Sequence, residues 1–176
     1  MGLLIEFGGL PGTGKSTLAR RLAERVGAVW LRIDEIEGAL RRNGLTPAQT
    51  GVTAYSVAHD LASSHLRRGM TVIADAVNPV AEARAGWRDL AAAVDARHVV
   101  IETSCADPAE RRRRIAARGR SASGFDGVYQ PRTDDRLTVD TGRPVEQCHA
   151  DIARRLGLTP GSPVLPGCQE IHGMRR

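Results

Sequence analysis

Gly9-Leu10-Pro11-Gly12-Thr13-Gly14-Lys15-Ser16-Thr17 decides how the rest of the chain is read. The stretch fits G-x-x-x-x-G-K-[ST], and its setting makes the pattern meaningful. Leu3 to Phe7 before it is a short apolar run suited to a buried parallel strand. After it, Leu18, Leu22 and Val26 recur at helical spacing among charged residues. Glycines in such a turn let backbone N–H groups curl around an anion, and the helix N-terminus adds partial positive charge. Gly9, Pro11, Gly12, Thr13, Gly14, Lys15, Ser16 and Thr17 are therefore candidate ligands of a nucleotide. Lys15 would reach the β- and γ-phosphates, and the Ser16 hydroxyl would bind Mg²⁺. The competing reading is a glycine-rich turn that only caps a helix. Lys15 is the sole lysine among 25 basic side chains. A lysine kept at this one position against so strong an arginine bias speaks for phosphate binding.

The remaining composition narrows the class. A length of 176 residues predicts one domain with a single core. Hydrophobic content of 41% with 26% charge is that of a globular chain. No run approaches the ~18–20 apolar residues of a membrane span. Met1-Gly2-Leu3 lacks the basic start of a signal peptide, and Glu6 stands where a myristoylation signal needs Ser or Thr. Cys105, Cys148 and Cys168 are odd in number and widely spaced, which predicts reduced thiols and a cytoplasmic protein. The five histidines form no zinc-binding pair. A net charge of +5 suits nucleic acid or an anionic nucleotide, but aromatic residues, at 3%, leave few platforms for base stacking.

Taken in order, residues 28–33 read as a second strand ending at Asp34, and 34–40 as a short helix. Residues 43–51 read as a polar connection. Residues 52–68 read as a helix with Val57, Leu61 and Leu66 turned inward. Residues 70–75 form a third strand, and Asn78-Pro79 starts a helix reaching about Ala93. A fourth strand spans 98–103. Asp107-Pro108-Ala109-Glu110 opens the next helix with a proline at its first position and a capping box. That helix runs to about Arg118, and 119–131 reads as a mobile loop. Residues 137–140 give a fifth strand, 144–156 a last helix, and 157–176 an irregular tail. Alternating strands and helices predict an α/β domain over 1–156, with a parallel sheet covered on both faces.

Three separated stretches point the same way: 9–17, Val72 to Pro79 followed by Arg84 and Trp87, and Cys105 to Arg118 with its arginine-rich helix. Together they resemble the small P-loop kinases that include chloramphenicol phosphotransferase, zeta-type toxins and the polynucleotide kinase domain. The resemblance covers roughly residues 3–156. It implies a nucleoside-kinase-like P-loop NTPase fold with strand order 2-3-1-4-5. It also implies a lid of about 119–132 between strands 4 and 5. Related proteins often read Asp-x-Thr-Asn after the third strand; here Val77 replaces the threonine.

Each candidate has a plainer reading beside it. Asp34 lies at the carboxyl edge of the sheet, where open α/β proteins bind ligands. In similar kinases an acid here takes the proton of the attacking hydroxyl; Asp34 with Glu37 also makes a D-x-x-E capping box. Asp75 ends an apolar strand, as an acid holding Mg²⁺ would; its plainer role is a loop cap. Asn78 is a substrate ligand or a helix cap, and Arg84 an acceptor contact or a solvated helix arginine. Arg114, Arg118 and Arg120 are candidate charge stabilisers over the transferring phosphate, against a plain solvated face. Thr141 and Arg143 sit where related folds lay the adenine. His59 and His65 read as incidental, and Cys105 as a small packed side chain.

These residues predict an ATP- and Mg²⁺-dependent kinase acting on a hydroxyl of a small molecule such as an antibiotic, nucleoside or sugar. Other enzyme readings are a 5′-hydroxyl polynucleotide kinase, with nucleic acid as partner, and a zeta-like toxin that phosphorylates a nucleotide sugar. A regulatory GTPase is disfavoured because guanine-binding motifs resemble Asn-Lys-x-Asp and no second lysine exists. A multimeric remodelling ATPase is disfavoured by length.

Overall fold

The computed structural model describes residues 1–117 and 127–157. Five strands form one all-parallel sheet in the order β2-β3-β1-β4-β5. They are β1 (Leu3–Gly8), β2 (Val29–Arg32), β3 (Thr71–Asp75), β4 (Arg97–Ser104) and β5 (Leu137–Asp140). The helices are α1 (Lys15–Val26), α2 (Ile33–Arg42), α3 (Pro47–Leu66), α4 (Ala81–Ala93), α5 (Pro108–Ala117) and α6 (Val145–Arg155). This is the expected fold and strand order. Residue 118 at the end of the expected fifth helix, 119–126 of the expected lid and 158–176 of the expected tail lie outside the described residues.

Side chains alternate across β1, so its neighbours feed two separate cores. Ile5 and Phe7 join Ile73, Ile101 and Val139 against Leu18 and Leu22 of α1 and Ile152 of α6. Leu4 joins Leu31, Val72 and Ala74 against α3 and α4. Glu6 shares that second face and is fully buried, a charge that the hydrophobic pattern does not anticipate.

The helix α3 corrects two expectations. It starts at Pro47, because Thr46 and Gln49 close a reciprocal capping box with proline at the first helical position. The Thr-Pro-Ala-Gln signal for that start was present in the sequence. Its inward face is Thr50, Ala54, Ala58, Ala62 and Leu66, whereas Val57 and Leu61 are 37% and 43% exposed. A stripe of alanines every four residues lets the helix lie close to the sheet, so the larger residues face outward. Ala58→Leu should therefore cost about 1–3 kcal/mol by overpacking. Leu61→Ala, on the outer face, should change stability by no more than about 0.5 kcal/mol. Urea denaturation of both variants checks the assignment, and the reverse ranking would refute it.

The loop after β3 differs from expectation too. The helix there begins at Ala81, with Val80 at its cap, so Asn78 caps nothing. Asn78 instead takes a left-handed conformation, φ 49°, which turns its side chain into the body.

Candidate active site

Parallel pairing brings the carboxyl ends of the central strands to one edge. Phe7 pairs with Asp75, and Arg32 of β2 also pairs with Asp75. The loop from Gly9 to Gly14 rises from that edge and is braced from beneath. Thr13 is buried, its hydroxyl bonded to the Leu10 carbonyl at 2.7 Å and to the Thr103 hydroxyl at 2.8 Å. The Thr13 side chain is thus structural, and its contribution to a phosphate cradle falls to the backbone. Gly9 has φ 132°, and a Cβ there would stand 2.4 Å from the Thr103 carbonyl oxygen. Gly12 has φ 83° and lies under Arg111 and Ile115 of α5, each within 2.9 Å of where its Cβ would be. No side chain fits at either position. Lys15 and Ser16 open α1, with Lys15 only 4% exposed.

Beside them stands Asp75, 1% exposed, with neither carboxylate oxygen completing a hydrogen bond. Burial pushes its pKa up, while Lys15, the Ser16 hydroxyl and Arg32 pull it back. The Ser16 hydroxyl stands beside the Asp75 carboxylate. Lys15 and Arg32 offset part of that buried charge, and its oxygens still gain from a direct ligand. A hard divalent cation suits that need, so Ser16 and Asp75 fit Mg²⁺. No group of three or more acidic, histidine or cysteine ligands occurs among the described residues. That suits a cation whose shell is completed by phosphates and water.

Asp34 lies one step outward. It is 25% exposed and 3.5 Å from Arg32, whose Nε is 3.8 Å from Asp75. Arg32 thus stands between the two carboxylates. The capping role for Asp34 fails: α2 starts at Ile33 with Arg32 at its cap, and no side chain caps it. Asp34 is inside the first turn, where a carboxylate suits the helix dipole and remains open to a ligand.

On the other side of the loop a cavity of about 440 Å³ is lined by Gly14, Thr17, Leu18, Arg114, Thr141, Arg143 and Cys148, among others. Arg114 donates from Nε to Glu110 at 2.7 Å and from its two terminal nitrogens to the Thr141 hydroxyl and carbonyl at 3.0 and 2.9 Å. The Thr141 hydroxyl lies 2.8 Å from the Thr13 carbonyl, tying this wall to the loop. Arg143 is exposed and pairs with Asp151 at 2.8 Å. Arg114 therefore braces the cavity rim. Arg118 and Arg120 lie outside the described residues. Arg111, passed over in the sequence, packs on Gly12 with its Nε buried and unpartnered. Glu110 is turned to Arg113 and Arg114, so Asp107 alone caps α5, accepting from the Ala109 N–H at 2.8 Å.

Asn78 and Arg84 meet protein rather than solvent. Asn78 is fully buried: its amide donates to Glu6 Oε1 and the Phe7 carbonyl, and its carbonyl accepts from Tyr55 and Trp87. All four of its hydrogen-bonding positions are used, leaving none for a substrate. Arg84 donates to the carbonyls of Asn78, Pro79, Gln130 and Pro131 and stacks over Tyr129 at 5.1 Å. It is a clasp, neither a solvated arginine nor a free acceptor contact. The clasped segment includes 129–132, the last part of the expected lid. Arg132 there has a fully buried side chain that bonds Glu6 at 2.9 Å and Asp134 through two nitrogens. His98 approaches the second Glu6 oxygen at 3.1 Å. Sequence reading missed this network because nothing local marks Glu6 and Arg132, 126 residues apart, as partners.

His59 packs edge-on against Trp87, ring centroids 4.3 Å apart, and burial lowers its pKa. It is a packing residue. Cys105 is half-buried, its thiol on the Asp107 carbonyl at 3.4 Å.

Known structures share this architecture. The APS kinase CysC of Mycobacterium tuberculosis, solved with AMPPNP and APS, superposes with a TM-score of 0.70 at 23% identity over 89% of this chain and 98% of that one. A sugar kinase of Janibacter sp. HTCC2649 gives 0.69 at 14% identity over 91% and 97%. A gluconokinase of Sinorhizobium meliloti 1021 gives 0.63 at 16% identity over 88% and 95%. These likenesses show a P-loop kinase-like fold. In sequence, an uncharacterized protein of Mycobacterium tuberculosis strain H37Rv, Rv2004c, is 36% identical over 114 residues, and a Mycobacterium bovis counterpart matches equally. The match covers 58% of this chain but 22% of those longer relatives. Residues 4–138 match the family model described as an AAA domain (AAA_33), and the chain belongs to that family.

Proposed function

We propose that this chain is an ATP- and Mg²⁺-dependent kinase that transfers the γ-phosphoryl group to a hydroxyl of a small molecule, such as an antibiotic, nucleoside or sugar. One observation carries the reading. Two carboxylates at neighbouring strand ends, bridged by Arg32, differ sharply in burial, Asp75 at 1% and Asp34 at 25%. A buried, unsatisfied carboxylate suits a metal ligand; an accessible one suits a proton acceptor. Within the P-loop kinases, the three motif stretches favour the chloramphenicol phosphotransferase, zeta-toxin and polynucleotide kinase group. The cavity beside Thr141 would take the adenosine, and the loop from Gly9 to Thr17 the phosphates. The three unpaired cysteines favour a reducing compartment, the cytoplasm.

In this reading Asp34 accepts the proton of the acceptor hydroxyl as its oxygen bonds to the γ-phosphorus. The bond from that phosphorus to the bridging oxygen breaks, and ADP leaves. Lys15 offsets charge on the β- and γ-phosphate oxygens, and Arg118 and Arg120 are proposed to share that role. Mg²⁺, when bound, neutralises phosphate charge. Ser16 and Asp75 hold its place. Arg114 positions Thr141 and the cavity wall.

The test is ATP consumption and phosphoryl mass gain across hydroxylated antibiotics, nucleosides, sugars and a 5′-hydroxyl oligonucleotide. Transfer to one small-molecule class is the expected result, with Lys15→Ala lowering it by about 10²–10³-fold. ATP binding with no transfer to any class would refute the reading. Transfer to the oligonucleotide alone would favour the polynucleotide kinase.

A further inference from the structure

The acceptor side of the site has a charge, and that charge selects among acceptors. This inference rests on the kinase reading above. Asp34 sits between two features: the metal-binding edge at Asp75 and a wall made by α2 and α3. Glu37, one turn beyond Asp34 on α2, is partly buried, and its pKa is raised by that burial and by the Asp34 charge. Tyr55 of α3 feels both carboxylates, and its hydroxyl donates to Asn78 at 3.1 Å. Asp34 and Glu37, three residues apart on α2, thus present two carboxylates on the side from which a hydroxyl acceptor would approach Asp34.

Among the described residues, Arg32, Arg41, Arg84 and Arg132 lie toward this edge, and each is engaged within the protein. Arg32 is held by Asp34 at 3.5 Å, Glu35 at 3.2 Å and Asp75 at 3.8 Å. Arg41 pairs with Glu37 at 3.5 Å. Arg84 is enclosed by four backbone carbonyls, and Arg132 by Glu6 and Asp134. On the outer wall, among the described residues, the ion pairs of Asp34, Glu35 and Glu37 are with Arg32 and Arg41, three carboxylates to two guanidinium groups. An anionic acceptor would have to displace an internal ion pair and meet that excess charge. A cation or a neutral polyol would meet neither obstacle, and a cation would relieve the repulsion between Asp34 and Glu37.

We infer that the acceptor is an uncharged or cationic polyhydroxyl compound, excluding phosphorylated, sulfated and carboxylated ones, and that Glu37 sets this preference. Glu37 acts on the charge of the acceptor and takes no part in the transfer itself. Its oxygens present hydrogen-bond acceptors to hydroxyl or ammonium groups.

The experiment measures kcat/KM for a hydroxyl-acceptor panel sorted by charge, with matched members such as glucosamine, glucose and gluconate alongside larger aminocyclitols, nucleosides and sugar phosphates. Neutral or cationic members should be preferred over any anionic one by about tenfold or more. Glu37→Gln should shrink the preference for a cationic acceptor over its neutral counterpart several-fold, through KM, with ATP affinity unchanged. If only neutral acceptors react, Glu37→Lys should lower the discrimination against anionic ones. An anionic compound as preferred acceptor would overturn the charge assignment while leaving the kinase reading intact. Selectivity indifferent to both Glu37 variants would overturn the role of Glu37. No transfer to any group, with ATP bound, would overturn the kinase reading and this inference together.

Discussion

Asp34→Asn should lower turnover by about 10²–10⁴-fold, the usual contribution of a positioned general base, while nucleotide affinity stays within about twofold of the parent. The substitution keeps the shape and the place in the first turn of α2 but removes the proposed proton acceptor. It also weakens the attraction to Arg32, 3.5 Å away. Because Asp34 caps nothing, the variant should fold with little loss of stability. Asp75→Asn is the informative companion. It should weaken Mg²⁺-dependent nucleotide binding as well as turnover, since a neutral amide is a poorer ligand for a hard cation. Separate titrations of ATP with and without Mg²⁺, together with single-turnover transfer, distinguish the two. Near-normal turnover in Asp34→Asn would remove Asp34 from the mechanism.

Arg132→Met should be strongly destabilising. Arg132 is the charged partner of Glu6, and both side chains are fully buried. Methionine fills similar space but leaves the Glu6 charge without its guanidinium, and an uncompensated buried charge typically costs about 3–5 kcal/mol. For a chain of this size that corresponds to a fall in Tm of roughly 10 °C or more. Glu6→Gln in the same background should recover part of the loss, because the amide carries no charge to bury. The double variant should therefore be more stable than Arg132→Met alone. Thermal unfolding of the parent and the two variants checks this. A drop of only a degree or two in Arg132→Met would show that Asn78 and His98 suffice to hold Glu6.

The two predictions concern residues of different visibility. Asp34 and Asp75 could be picked out because each closes a largely apolar run, and in a parallel sheet the carboxyl ends of the strands gather on one edge. Arg132 could not. Its partner lies on β1, and only the packed sheet brings the returning segment over Gly8. Asn78 and Arg84 stand out by their place after the third strand, where local sequence suggests a cap, a substrate contact or a solvated face. A left-handed turn at Asn78 reverses its side chain, and the carbonyls of 130–131 then enclose Arg84. Val57 and Leu61 failed as core residues for a related reason. Hydrophobicity identifies what can be buried, whereas proximity to the sheet selects alanine at the contact face.

Local chemistry was enough for the phosphate loop, the alternation of strands and helices, and the strand-end acids, since each depends on neighbours a few residues apart. Glycine freedom, period-two burial and helical periodicity are all short-range properties. The ion pair of Glu6 with Arg132, the saturation of Asn78, the cavity beside Thr141 and the negative acceptor wall depend on groups dozens of residues apart. Their partners are chosen by register and packing, so only the folded chain decides them.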